Sequence, residues 1–206
     1  MLIVEEVRQM STKLLYQGHG SYRITTADGK VIYIDPYAGE GYDMPADILL
    51  VSHQHDDHNQ IQLVTQKEGC TLITNVEALA GGKHNTFDVE GIIIEAVEAC
   101  NVNHNPAECV GFMLTVDGIK IYFAADTSMT KSMESFAARK LDYALFPIDG
   151  FYNMDAKEAA ECAKLVGARV NIPVHMKPGE LFDETVANTF DAPGRLIVAA
   201  GTQIEL

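Results

Sequence analysis

Short apolar runs of four to eight residues recur along the chain, separated by polar, glycine-bearing turns. Many carry the β-branched and aromatic enrichment of strands: "SYRITT" (21–26), "VIYID" (31–35), "DILLVS" (47–52), "TLIT" (71–74), "IIIEAVEA" (92–99), "CVGFMLTV" (109–116), "IKIYFAAD" (119–126), "YALFPI" (143–148), "RVNIPVH" (169–175) and "RLIVAAG" (195–201). The stretches Ala27-Asp28-Gly29-Lys30 and Asp117-Gly118 read as hairpin turns, the second being a dipeptide that type I′ geometry favours. Helical spacing is rarer. In "MDAKEAAECAKLVGA", Asp155 is placed to N-cap and Glu158 to close a capping box. Ala156, Ala159, Ala160, Ala163 and Val166 then form an apolar stripe. Further helices are expected over 57–68, 76–81, 129–139 and 183–190. Early hairpins followed by strand–helix alternation predict an α/β (α+β) chain, a mixed sheet system covered by helices. No linker-like run interrupts the chain, so a single domain over 1–206 is the simplest organisation.

Composition adds limits. Hydrophobic residues are 47% and charged residues 21% of the 206, an ordinary globular balance. No window approaches the roughly 18 apolar residues of a membrane span, and Glu5 and Glu6 interrupt the N-terminus where a secretory signal needs an apolar run. A cytoplasmic location with no membrane partner is the resulting expectation. The net charge of −14 argues against a protein that binds nucleic acid by neutralising phosphates. It leaves a small anionic substrate open, because a bound metal reverses the local potential. Cys70, Cys100, Cys109 and Cys162 have no CxxC spacing and are expected as reduced thiols.

One segment carries concentrated chemistry. After the apolar run ending near Ser52 come His53, His55, Asp56, Asp57 and His58. Loops that follow the carboxyl ends of buried strands gather functional side chains, because they aim groups without disturbing the core. Imidazole and carboxylate ligate zinc, iron and manganese. His53 and His55, two apart in an extended segment, can point together, and the adjacent Asp57 and His58 can turn towards a second centre. The spacing therefore favours two divalent ions, zinc first, with manganese or iron as alternatives. Further donors stand beside strands: His104 before the 109–116 run, Asp126 at the end of 119–126, and His175 at the end of 169–175.

His53-Gln54-His55-Asp56-Asp57-His58, followed in order by His104, Asp126 and His175, resembles the metallo-β-lactamase fold superfamily. The blocks "GHGSYRI", "IYIDPY", "VGF", "IYFAADTS", "DYALFPIDGFYNM" and "IPVHM" are similar to its small metal-dependent hydrolases related to ascorbate-phosphate lactonases. The resemblance spans about Gly18 to Gly201. It implies a four-layer αββα sandwich of two mixed sheets flanked by helices. It also implies one metal on His53, His55 and His104, a second on Asp57, His58 and His175, and Asp126 between them. Two departures are visible. Ala125 stands where the relatives carry Gly, and Asp149-Gly150 stands where they often carry Gly-Gly, so Asp149 is expected to line the pocket.

The implied activity is hydrolysis of an ester, lactone, amide or phosphoester in a small metabolite, by water activated at the metals. Asp57 is the expected catalytic group, orienting or deprotonating that water. Asp35 resembles a brace for the histidine loop, although capping the turn before Pro36 is equally open. His19 is expected as a structural or pocket-facing histidine, His84 as solvent-exposed, and Lys177 as either an exposed lysine or a partner for an anionic substrate group. The chain is too short for the inserted clamp of the superfamily's nucleases or the helical extension of its thioesterases. The alternatives are a non-catalytic metal-binding regulatory module and a di-iron redox protein. Homo-oligomerisation is left open.

Overall fold

The computed structural model describes residues 11–206, so the expectation drawn from Glu5 and Glu6 lies outside the described residues. In chain order the elements are β1 (Lys13–Gly18), β2 (Ser21–Thr25), β3 (Val31–Ile34), β4 (Ala46–Val51), β5 (Gln66–Thr74), α1 (Asn75–Ala78), β6 (Thr86–Val89) and β7 (Ile92–Glu98). Then follow β8 (Val110–Val116), β9 (Ile119–Phe123), β10 (Tyr143–Pro147), α2 (Ala156–Val166), β11 (Val170–Val174), α3 (Glu184–Ala187) and β12 (Thr202–Glu205). The strands form two six-stranded sheets, ordered β12-β1-β2-β3-β4-β5 and β11-β10-β9-β8-β7-β6.

The sheets repeat one pattern. In the first, β12, β1, β2 and β3 pair antiparallel, and β4 and β5 continue parallel to β3. In the second, β6 to β9 pair antiparallel, and β10 and β11 continue parallel to β9. Their facing sides share one core, to which Ile24, Ile32, Ile48 and Leu50 contribute from the first sheet and Ile94, Phe112, Leu114 and Ile121 from the second. The strand period of two puts Val31 and Tyr33 on the opposite face from Ile32 and Ile34. Burial on both faces explains why these strands read as continuous apolar runs rather than as alternation.

Each outer face is covered, which completes the layered sandwich. On the second sheet, α2 and the 3-10 segment Lys131–Arg139 seal Tyr122, Phe146 and Met113 beneath Phe136, Met133, Ala159 and Ala163. On the first sheet the covering is thinner. Tyr42, Met44 and Ile61, from loops and a short 3-10 turn, pack on Tyr33, Ala46 and Leu49. All four cysteines are free thiols.

Several expectations are corrected. The segment expected as a helix over 57–68 holds only a 3-10 turn at Ile61–Leu63, and from Gln66 it extends as an edge strand beside β4. Its polar residues face solvent at the edge, which removed the strand pattern from the sequence. The 129–139 helix is 3-10. The strand expected over 195–201 reduces to one bridge, Arg195 with Asn171, and the regular strand follows Gly201. Gly194 has a φ of 60°, and a Cβ there would collide with the Arg169 carbonyl oxygen, so only glycine fits the turn that precedes this bridge. Strands β1 and β6 escaped notice. Asp155 caps α2 by accepting from the Glu158 N–H, but the Glu158 carboxylate instead accepts from the Met129 N–H at 2.8 Å. A capping box does form, unforeseen, between Thr74 and Glu77.

Gly111 sits where β8 crosses the end of β9, and a Cβ there would lie 2.9 Å from the Phe123 carbonyl oxygen and 3.0 Å from that of Ala124. Gly111→Ala is expected to destabilise the fold by about 1–3 kcal/mol through overpacking. Urea unfolding should show a lower midpoint at an unchanged slope.

Candidate metal centre

The parallel strands of both sheets end at one edge, and the chemistry gathers there. β4 ends at Val51, so Ser52 and His53 leave the sheet buried. The His58 N–H then donates to the His55 carbonyl, folding the loop back on itself. This return sets the His53 and His58 rings 4.2 Å apart and those of His53 and His55 4.5 Å apart. His104, on the loop before β8, closes a triangle with them at 5.1 Å from His53 and 4.9 Å from His55. Asp126, past the end of β9, lies behind. Its Oδ1 is 3.3 Å from His58 Nε2, and its Oδ2 is 3.3 Å from His104 Nε2 and 3.5 Å from His175 Nε2. Three overlapping donor sets result: His53, His55, His104; His53, His58, Asp126; and His19, Asp57, His58, His175. Each could hold an ion.

The far nitrogens of these histidines are fixed by the fold. Asp35, buried past β3, accepts from the Ser52 N–H at 2.7 Å, the Ser52 hydroxyl at 2.6 Å and His58 Nδ1 at 2.9 Å. With its proton given to Asp35, the Ser52 oxygen accepts from His53 Nδ1 at 2.9 Å. The Asn101 side-chain oxygen lies 2.9 Å from His104 Nδ1. Asp149 Oδ2 lies 3.1 Å from His175 Nδ1, close enough for an ion pair though off the hydrogen-bond axis. An imidazole that donates through Nδ1 presents an Nε2 lone pair, the form that ligates metal. The Nε2 atoms of His53, His58, His104 and His175, with Asp126 Oδ1, are buried without a hydrogen-bond partner. Five orphaned polar atoms converging on one space would be costly without a shared occupant. A divalent cation fits that set.

Backbone strain concentrates here too. His19, Asp35, Ala125 and His175 all have φ between 45° and 57°, the left-handed region. Such conformations cost of order 1–3 kcal/mol and persist where the surroundings over-determine them. At Ala125 this accounts for the glycine that the resemblance leads one to expect, and the side chain is accommodated nonetheless.

Electrostatics divides the histidines. Burial pushes His53 down to about 2, helped by His58 beside it, and burial lowers His104 as well. Burial acts the same way on His58 and His175 but is outweighed. Asp126 and Asp35 hold His58 well above its ordinary value, while Asp126, Asp149 and Asp57 raise His175 to about 9. Burial alone would raise Asp126, yet His175 and His58 keep it well below the carboxylate range.

The structure brings together His53, His55, Asp57, His58, His104, Asp126 and His175. Asp35 is a brace. His19 is fully buried, with Nδ1 3.1 Å from the Glu180 carbonyl and Nε2 3.1 Å from Asp57 Oδ2, and its ring packs 3.7 Å from that of His175. It positions Asp57 rather than facing the pocket. One expectation is corrected. The Asp149 side chain has no exposed surface and lines no pocket; it braces His175 and accepts from the N–H groups of Phe151 and Tyr152. Lys177 pairs with Glu180 on its own turn at 2.7 Å. His84 is exposed, as expected. Ser52 and Asn101 were missed, since a lone Ser or Asn beside a histidine carries no distinguishing pattern.

Asp35→Asn keeps the shape but replaces an acceptor that orients two histidines. It is expected to weaken metal affinity about 10–100-fold, read by chelator competition. A second expectation concerns the metal-free chain. His175 is raised from 6.5 to about 9 and Asp149 lowered from 3.8 to about 2. The pair therefore stabilises fully between those ordinary values, fades as pH rises towards 9, and fades as pH falls towards 2. In urea unfolding of chelator-stripped protein, Asp149→Asn should lose most stability near pH 5 and little above pH 9.

Comparison with known proteins agrees with this geometry. Residues 13–175 match the beta-lactamase superfamily domain. A UPF0173 metal-dependent hydrolase of Alkaliphilus metalliredigens is 30% identical over 192 residues, covering 79% of this chain and 84% of its own. A solved chain from Parabacteroides distasonis superposes with a TM-score of 0.75 at 25% identity, covering 91% of this chain and 92% of its own. The metallo hydrolase Igni18 of Ignicoccus hospitalis shares the fold, with a TM-score of 0.71 at 21% identity over 96% of this chain and 99% of its own. The matched span, residues 13–175, takes in strands of both sheets, and the chain belongs to the metallo-β-lactamase superfamily, among its small metal-dependent hydrolases.

Proposed function

We propose that this metal-dependent hydrolase works with two divalent ions, zinc first, and cleaves an ester, lactone, amide or phosphoester bond in a small molecule. The observation that carries the reading is the convergence of four unpartnered imidazole Nε2 atoms with Asp126 Oδ1. The overlapping sets hold eight residues, seven of them besides His19, and that exceeds what one tetrahedral ion takes. His53, His55 and His104 would hold one ion, Asp57, His58 and His175 the other, with Asp126 between. When bound, such ions supply a water acidic enough to attack at neutral pH and polarise the bond attacked.

The chain's own residues do the rest. Asp57 is half-exposed, and its Oδ2 is held by His19, which leaves the carboxylate oriented at the opening. It can accept the proton of the attacking water and return it to the leaving group. The cavity over His55, Asp57, His104 and Asp126 has a volume of about 380 Å³, and it adjoins another of about 290 Å³ through His55 and His104. These sizes suit a small molecule. Beneath the imidazoles the space between the sheets is only about 10 Å³, so substrate reaches the donors from outside. Among the described residues no helix is long and apolar enough to cross a membrane.

Elemental analysis of purified protein is expected to give about two metal equivalents per chain, falling sharply in Asp126→Ala. Turnover of generic esters and phosphodiesters should vanish with chelator and return with zinc or manganese. One equivalent at most after reconstitution, with activity intact, would overturn the paired centre.

A further inference from the structure

Two large apolar side chains stand in water beside the centre. Phe151 is 71% exposed and Tyr152 46%, their rings 4.7 Å apart edge to face. Exposed aromatics on a loose loop would need no explanation, but this loop is fastened on both sides. Asp149 Oδ1 accepts from the Phe151 N–H at 2.7 Å and the Tyr152 N–H at 2.6 Å. The side-chain amides of Asn101 and Asn103 each donate to the Tyr152 carbonyl at 3.0 Å. Two of the three fasteners also orient metal-site histidines: Asp149 stands against His175, and Asn101 against His104. Tyr152 is thus held in register with the donor atoms, and it lines the cavity above them.

The charge of the walls is the second observation. Neither cavity is lined by a lysine or arginine. The walls away from the donors are Tyr152, Cys109, Glu108 and the amides of Gln54, Asn75, Asn103 and Asn105. Neutral amides offer hydrogen bonds to carbonyl and hydroxyl groups, whereas Glu108 repels an anion. The cation expected to meet an anionic group, Lys177, is engaged by Glu180. Ions at the centre can balance charge only at the bond being cleaved.

We propose that the Phe151–Tyr152 loop is a substrate platform, and that the enzyme takes uncharged esters, lactones or amides whose apolar group lies against Tyr152. This rests on the hydrolytic reading above and narrows it: phosphoesters and substrates with carboxylate tails are disfavoured.

The test compares two esters with one leaving group in the metal-loaded full chain, 4-nitrophenyl butyrate and the anionic mono-4-nitrophenyl succinate. The butyrate should be preferred at least about tenfold in kcat/KM. Tyr152→Ala should lower that value about tenfold through KM, about 1.4 kcal/mol. Metal per chain should not change, because the loop is anchored through main-chain groups. Equal or better use of the succinate ester, or an unchanged KM in Tyr152→Ala, overturns the proposal. If neither ester is cleaved, ester hydrolysis fails and the platform is judged by equilibrium binding of N-butylbenzamide against anionic benzoylglycine. Tighter binding of the neutral amide, lost in Tyr152→Ala, supports the platform; the reverse order overturns it.

Discussion

A single buried carboxylate organises this edge of the sandwich. Asp35 has no access to water to speak of, and burying a carboxyl without partners is costly. The fold meets that cost with three donors, two of them from Ser52 and one from His58. The bond from the Ser52 N–H ties the ends of β3 and β4 together, the hydroxyl passes the orientation on to His53, and the imidazole bond settles His58. Each hydrogen bond to a charged group contributes roughly 1.5–3 kcal/mol. What distinguishes Asp35 is therefore its position, from which it links the ends of β3 and β4 to the orientation of both His53 and His58. The strained φ of 47° that places it there is the accompanying cost.

The two sheets supply the rest by repetition. Each passes from antiparallel to parallel pairing after its third pair, and in each an acid at or beside a left-handed residue follows the strand where the change occurs: Asp35 directly after β3, Asp126 three residues past β9. One acid faces the outer nitrogens of the histidines and the other their inner ones. The donor atoms are thereby positioned by rigid sheet termini rather than by loops alone, which explains how seven polar groups stay assembled at a surface edge.

Much of this was legible in the sequence, for identifiable reasons. The strands buried on both faces announced themselves as unbroken apolar runs, and the His53–His58 spacing exposed the site. Only the second half of β5, the run 71–74, was legible as strand, because Gln66, Lys67, Glu68 and Gly69 at the sheet edge face solvent and mimic a polar helix. β1 offers only Leu14-Leu15-Tyr16 as an apolar run between polar ends, and β12 lies beyond the apolar run of 195–201. At the site, donors were readable but their supports were not. Whether Asp149 faces a cavity or a histidine depends on how the loop after β10 turns, and whether Lys177 is free depends on Glu180 three residues on. The first is decided by packing between segments distant in sequence, which spacing alone does not encode; the second is a local pair that only the turn after His175 brings into contact.

The way the 149–153 loop is fastened separates two jobs usually entangled in one segment. Asp149, Asn101 and Asn103 grip only peptide groups of Phe151 and Tyr152, so the two side chains bear no structural duty. Exchange of either ring alters what the mouth of the site prefers while the imidazoles behind it keep their alignment. The loop behaves as an interchangeable fitting on a fixed mount. A lineage built on this scaffold can drift from one substrate to another in small steps, each leaving the catalytic machinery intact.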